Sequence, residues 1–232
     1  MIEWLLLPLI VIEGRKVRAK AGRLAPPRGP LTGAVDGQGA PIRLLIVGDS
    51  SAAGVGVETT SQCLAPELAG ELNRLSGRPV AWRMAGSNSA TAGQVRDHVV
   101  PHLAREPWSH ILLTIGTNDA KNFHTASRFK REFGTLLYAL KARFPDAAIV
   151  WSPVIDMHDV PALTPFLAGM LQRRAARINA VGAQLCFERY AVAAAPLPVH
   201  DPSGFATDGF HASAEGYRAW AAHVAPVLLG AG

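Results

Sequence analysis

The sequence predicts an α/β fold built on a parallel sheet with helices on both faces. Three observations predict it: short continuous apolar runs, helix-patterned stretches between them, and glycine-containing loops directly after the runs. Strands alternating with helices imply right-handed crossover units, so the strands lie parallel. Ligands of such sheets bind beyond the carboxyl ends of the strands, and the loops there are where chemistry is expected.

The elements follow in order. Arg43 to Gly48 (RLLIVG) is apolar and ends in glycine, the pattern of a buried parallel strand. Leu64 to Leu75 places apolar residues at Leu64, Leu68, Leu72 and Leu75, a helical spacing. Val80 to Met84 reads as a second strand and Ile111 to Ile115 as a third. Phe129 to Phe144 is a helix with Phe129, Phe133, Leu136, Leu137 and Leu140 on one face. Ala148 to Trp151 is a fourth strand, Leu167 to Leu185 a long helix, Cys186 to Tyr190 a fifth strand, and Ala214 to Leu229 a closing helix. The sheet is thus expected to have about five strands.

A chain of 232 residues suits one such domain, and 49% apolar against 18% charged residues excludes a disordered tail protein. The two cysteines, Cys63 and Cys186, exclude a disulfide scaffold and a cysteine-rich zinc module, and read as buried free thiols. The net charge of +5 raises the question of nucleic acid. Residues 1–43 carry a net of +4 and the remainder only +1, with no aromatic-interleaved basic stripe, so no nucleic-acid partner is expected.

Residues 1–41 are read as a leader: an apolar stretch from Trp4 to Ile12, a basic cluster from Arg15 to Arg23, and a Pro/Gly-rich irregular connection over 25–41. The body of the fold then spans 42–232. The positive charges follow the apolar stretch instead of preceding it, so the segment is expected to stay uncleaved and the protein to be cytoplasmic. The apolar stretch either packs on the body or lies in a membrane interface, with peripheral membrane contact through residues 1–24.

Four loops carry the chemistry. The first strand runs into Gly48-Asp49-Ser50-Ser51, where small residues allow a sharp turn and Ser50 stands at the mouth of the sheet. Phosphate-loop, dinucleotide-binding and Gly-x-Ser-x-Gly patterns are absent. The second strand ends at Ala85-Gly86-Ser87-Asn88, where Gly86 offers an unhindered N–H. The third ends at Gly116-Thr117-Asn118-Asp119, where Asn118 supplies a side-chain donor and Asp119 reads as a turn or cap residue. Before the last helix comes Asp208-Gly209-Phe210-His211, where a turn at Gly209 folds the carboxylate onto one ring nitrogen. The other histidines lack such a frame, and no pair shows metal-ligand spacing.

Taken together and in this order, the four loops resemble the SGNH/GDSL hydrolase family, over about residues 42–229. Ser50 matches the nucleophile of the first block, written here with Ser51 where the family pattern has Leu. Gly86 matches the glycine of the second block, Asn118 the asparagine of the third, and Asp208 with His211 the Asp-x-x-His of the last. The resemblance implies a three-layer α/β/α, flavodoxin-like sandwich with no metal and no organic cofactor. It implies a Ser50–His211–Asp208 triad and an oxyanion hole of the Ser50 and Gly86 N–H groups with the Asn118 amide.

The substrate expected is a small-molecule ester. Val154, Ile155, Met157 and Phe166 can wall an acyl pocket, which favours short- to medium-chain acyl or aryl esters over sugar acetates. Lysophospholipids, thioesters and acyl transfer to an alcohol use the same chemistry and stay open. A non-catalytic anion-binding module is disfavoured, because anion binding needs no Asp–His pair.

Overall fold

The computed structural model describes residues 24–199 and 201–232, together with Glu13 and Gly14. The reading of residues 1–23 as an apolar and basic leader therefore falls, Glu13 and Gly14 aside, outside the described residues. Among the described residues no helix is long and apolar enough to cross a membrane.

A six-stranded sheet forms the middle layer, in the order β1-β3-β2-β4-β5-β6. The strands are β1 (Thr32–Val35), β2 (Ile42–Gly48), β3 (Val80–Gly86), β4 (His110–Thr114), β5 (Ala148–Ser152) and β6 (Val192–Ala193). β2 to β6 pair in parallel, as expected of crossover units. β1 pairs antiparallel with β3, a strand that the sequence pattern does not signal. It lies inside the stretch read as an irregular connection, so the sheet begins before residue 42. Its letters, TGAV, carry too little apolar signal to stand out between Pro30 and Gly37.

The helices are α1 (Leu64–Ser76), α2 (Ala92–Gln94), α3 (Thr117–Lys121), α4 (Ala126–Arg143), α5 (Pro165–Glu188) and α6 (Ala214–Ala231). The central strands are buried along nearly their whole length because both faces are covered, and alternate residues serve opposite layers. Ile42, Leu44, Ile46, Leu112 and Val150 pack with Leu68 and Leu72 of α1 and Val224 and Leu228 of α6. Leu45, Val47, Leu113, Ile149 and Trp151 pack with Phe129 and Phe133 of α4 and Ile178 and Leu185 of α5. Phe133 lies 5.0 Å from both the Phe129 and Trp151 rings, joining helix to strand.

Hydroxyl caps set the helix starts. Thr125 accepts from Arg128 N and Ser213 from Gly216 N, and α1 stops at Gly77 in the left-handed region. The fifth strand expected at Cys186–Tyr190 is not one. α5 continues to Glu188, because Ile178, Leu185 and Cys186 prolong its buried face, while Phe187 and Tyr190 are exposed. The strand is the short Val192–Ala193, paired with Val150 and Trp151. Cys63 and Cys186 are buried free thiols, and burial pushes each up to about 12.

Candidate active site

The site lies where β2, β4 and β5 end. Directly after Gly48, the chain turns so that Val55 N donates to Ser50 O and Ala53 N to Asp49 O. Asp49 shapes this turn. Its Oδ1 accepts from Ser51 N at 3.1 Å and Ser51 Oγ at 2.8 Å, while Oδ2 accepts from Asn118 Nδ2 at 3.2 Å. Asp49 therefore connects the Ser50 turn to the asparagine of the third loop. Burial pushes its carboxyl up, against the opposing bonds from Ser51 and the charges of Lys121 and His211.

Asn118 sits in α3 and is 4% exposed; its amide also donates to Ala90 O at 3.0 Å. The amide is held from two sides, which fixes its direction without help from solvent. Asp119 turns away, accepting from Ala92 N at 3.1 Å and meeting His124 Nδ1 at 3.0 Å. It caps the first turn of α2, not its own helix. Burial raises the Asp119 carboxyl to about 6, against those two bonds.

The loop before α6 folds as its sequence predicts. Gly209 adopts φ +66°, and Gly209 N donates to Ala206 O while Ala206 N donates to His211 O. The turn brings Asp208 Oδ2 to 2.6 Å from His211 Nδ1. Oδ1 accepts from Phe210 N at 2.9 Å and His211 N at 3.0 Å. Burial alone would raise the Asp208 carboxyl, but the His211 bond and the two amides outweigh it and leave it lowered. An ionised carboxylate only accepts, so Nδ1 carries the proton of that bond and Nε2 is left as the basic nitrogen.

Ser50 and His211 reach one cavity from different elements. Gly56, at φ +119°, faces Ala212 O and His211 Cβ, and a side chain there would overlap the carbonyl. That contact seats the serine loop on the histidine loop. Tyr217 of α6 completes it, donating from Oη to Val55 O at 2.7 Å.

The cavity holds about 260 Å³ and is lined by Ser50, Asn118 and His211 together with apolar groups. Of the expected wall, Val154, Ile155 and Met157 line it. Phe166 does not; it packs beside Leu167 and Met170 on α5, because Thr164 caps that helix and turns Phe166 into its first turn. The cavity is also lined by Leu197, Pro198, Val199, Phe205, Phe210 and Trp220, which sequence reasoning missed. The signal available was the Pro-marked apolar run after β6. Gly86 is not among the lining residues; it packs against the backbone of Ala52 and Ala53, where a side chain would collide.

The Val154–Met157 wall is pinned by α5. Asn179 accepts from Val154 N at 3.0 Å and donates to Val154 O at 2.8 Å, and Gln172 accepts from Met157 N at 2.9 Å. These two polar residues, seven apart on an apolar helix face, were also missed. The arrangement offers a hydroxyl, a basic imidazole nitrogen backed by a carboxylate, and a fixed amide donor, all around one apolar cavity.

The chain belongs to the GDSL-like lipase/acylhydrolase family, whose model matches residues 46–219. It is accordingly a carboxylic ester hydrolase. No curated protein matches the chain. Solved structures share its fold. A lipase/acylhydrolase from Enterococcus faecalis is 18% identical, with a TM-score of 0.65 over 82% of this chain and 96% of that one. A family 3 carbohydrate esterase from Clostridium thermocellum is 18% identical, with a TM-score of 0.64 over 83% of this chain and 100% of the other. A phospholipase A1 from Streptomyces albidoflavus is 16% identical, with a TM-score of 0.59 over 83% of this chain and 100% of that one.

Proposed function

We propose that the protein is a serine carboxylesterase for short- to medium-chain acyl or aryl esters, acting through an acyl-enzyme. The observation that carries this reading is the Asp208–His211 pair, 2.6 Å apart, with Asp208 buried and His211 lining the same cavity as Ser50 and Asn118.

In the proposed sequence, Ser50 Oγ attacks the ester carbonyl and His211 Nε2 takes the serine proton. Asp208 holds the imidazole tautomer and stabilises the imidazolium. The tetrahedral oxyanion accepts from Asn118 Nδ2 and from the Ser50 N–H, while Gly86, which does not line the cavity, takes no part. In the resting site both Asn118 N–H groups are engaged, by Asp49 Oδ2 and Ala90 O, so the oxyanion takes its bond in competition with the longer one to Asp49. His211 then gives its proton to the departing alcohol oxygen as the C–O bond breaks. Water, deprotonated by the same nitrogen, attacks the acyl-serine; the acid leaves and Ser50 regains its proton.

Cavity size supports the chain-length part of the reading. The cavity, about 260 Å³ and largely apolar, suits a small acyl or aryl group. The walls made by Val154, Ile155, Met157 and Leu197 favour hydrocarbon over a sugar. The test is a panel of p-nitrophenyl esters from acetate to palmitate, with an acetylated xylo-oligosaccharide and a lysophospholipid alongside. A maximum in kcat/KM between butyrate and octanoate is expected. A maximum on the acetylated sugar or on the lysophospholipid overturns the substrate class.

A further inference from the structure

Behind the oxyanion side of the site lies a second cluster that the esterase chemistry does not use. Asp119 of α3, His124 in the turn after it, and Glu132 of α4 place three ligand-type atoms within 4.8 Å of one another. His124 Nδ1 is 3.0 Å from Asp119 Oδ1 and 3.7 Å from Glu132 Oε2. Asp119 is 0% exposed, and His124 and Glu132 are each 9% exposed. From sequence alone His124 lacks a frame, because its partners lie five residues before it and eight after it across a helix boundary.

Glu132 supplies the independent sign of a ligand. Its Oε1 accepts from Arg128 Nε at 2.8 Å, with Arg131 Nη2 3.9 Å away. Its Oε2 is buried and has no hydrogen-bond partner. A buried carboxylate oxygen without a partner is unfavourable, and this one points to the imidazole nitrogen that already serves Asp119. Gly93 lies against the same carboxyl group. A second cavity, of about 200 Å³ and lined by Thr91, Gln94, Asn122 and Arg128, adjoins His124 and Glu132 and gives an ion a route and room for water.

We propose that Asp119, His124 and Glu132 form a structural binding site for a divalent transition-metal ion. One imidazole and two carboxylates suit Zn²⁺ or Mn²⁺, with water completing the shell. At metal–ligand distances of about 2.0–2.2 Å, tetrahedral ligands stand about 3.3–3.6 Å apart; the two separations from His124 are 3.0 and 3.7 Å, and the third lies within 4.8 Å. Binding forms bonds from the ion to His124 Nδ1, Asp119 Oδ1 and Glu132 Oε2, and the proton on Nδ1 leaves to solvent or returns on Nε2. The ion would cross-link α3, the following turn and α4. Through Asp119 Oδ2 and Ala92 N it would also hold the start of α2, next to Asn118.

The test is binding of Zn²⁺ and Mn²⁺ to chelator-treated full-length protein by calorimetry, with the thermal midpoint followed in parallel. Altering the partners that merely orient a ligand weakens metal sites about 10–100-fold, so Glu132→Gln and His124→Asn should each weaken binding by at least about a hundredfold. One ion per chain, a metal-dependent rise in thermal midpoint, and loss of both in the two variants are expected. If either variant is too unstable to compare, the Co²⁺ spectrum of the unaltered protein decides. Visible ligand-field bands without a thiolate charge-transfer band support the site. No binding at submillimolar metal, equal binding by the variants, or a thiolate band implicating Cys63 or Cys186 overturns it. None of these readouts depends on esterase activity.

Discussion

Replacing Asp208 by Asn tests how the carboxylate acts on His211. The native carboxylate accepts on both oxygens: two backbone amides on Oδ1 and the ring on Oδ2. An amide has one acceptor and one donor end. Facing its oxygen to the ring would set its NH₂ against the N–H groups of Phe210 and His211, losing two hydrogen bonds worth about 1 kcal/mol each. The oxygen therefore stays on the backbone and the NH₂ faces Nδ1. The ring must then accept there, which moves its proton to Nε2 and removes the base. A fall in kcat of about 10⁴-fold is expected, or about 5 kcal/mol at 1.36 kcal/mol per tenfold. The fold persists because the backbone bonds persist. Loss of one charge-assisted bond, about 1.5–3 kcal/mol, lowers the thermal midpoint by roughly 3–12 °C. The pH dependence has a definite sign. The native-state carboxyl is lowered from 3.8, so its contribution to stability is present above that value and is lost as pH falls through the lower folded value. The gap in midpoint between the two proteins should be constant near neutrality and close below pH 3.8. Steady-state kinetics on p-nitrophenyl butyrate and thermal scans give both quantities. A folded Asp208→Asn protein with kcat within tenfold of the unaltered enzyme refutes the tautomer argument.

Three further changes probe the frame. Asn118→Ala should lower kcat by roughly a hundredfold or more with KM little changed, since its amide is the fixed side-chain donor of the site; an unchanged kcat removes it from the oxyanion role. Gly56→Ala meets both a positive φ and the Ala212 carbonyl. It should destabilise by about 1–3 kcal/mol and lower kcat more than tenfold by moving the serine and histidine loops apart, whereas full activity would show that the contact is dispensable. Ile155→Trp fills part of the cavity, so the ratio of kcat/KM for octanoate over acetate should fall at least about tenfold, at about 1–3 kcal/mol per displaced methylene. A constant ratio would place the acyl chain elsewhere.

The parts legible in the sequence are those set by local rules. β2 and β4 each carry a continuous apolar run because both faces are covered, and their loops announce Ser50 and Asn118 by position at the strand ends. Asp208-Gly209-Phe210-His211 encodes its own turn, so the carboxylate–imidazole contact follows from four consecutive residues. What escaped depends on partners distant in the chain. β1 is a strand because β3 offers it an open edge, not because its letters demand one. The run from Cys186 to Tyr190 has strand composition, yet packing against the sheet extends α5 through most of it. Asp49 appears as a turn residue until Asn118 is brought to its second oxygen. Phe166 and Leu197 look equivalent as apolar wall residues, and only the direction of the α5 start and of the chain leaving β6 separates them.

The central claim is that Ser50 is a nucleophile activated within this pocket. The most direct measurement is stoichiometric reaction with a fluorophosphonate, followed by peptide mapping and parallel assay of Ser50→Ala. The account predicts one adduct per chain, on Ser50, with activity lost in proportion to labelling. It also predicts a folded Ser50→Ala protein that neither labels nor turns over ester. An adduct on another residue with Ser50 unmodified, or ester turnover retained by Ser50→Ala, would contradict it.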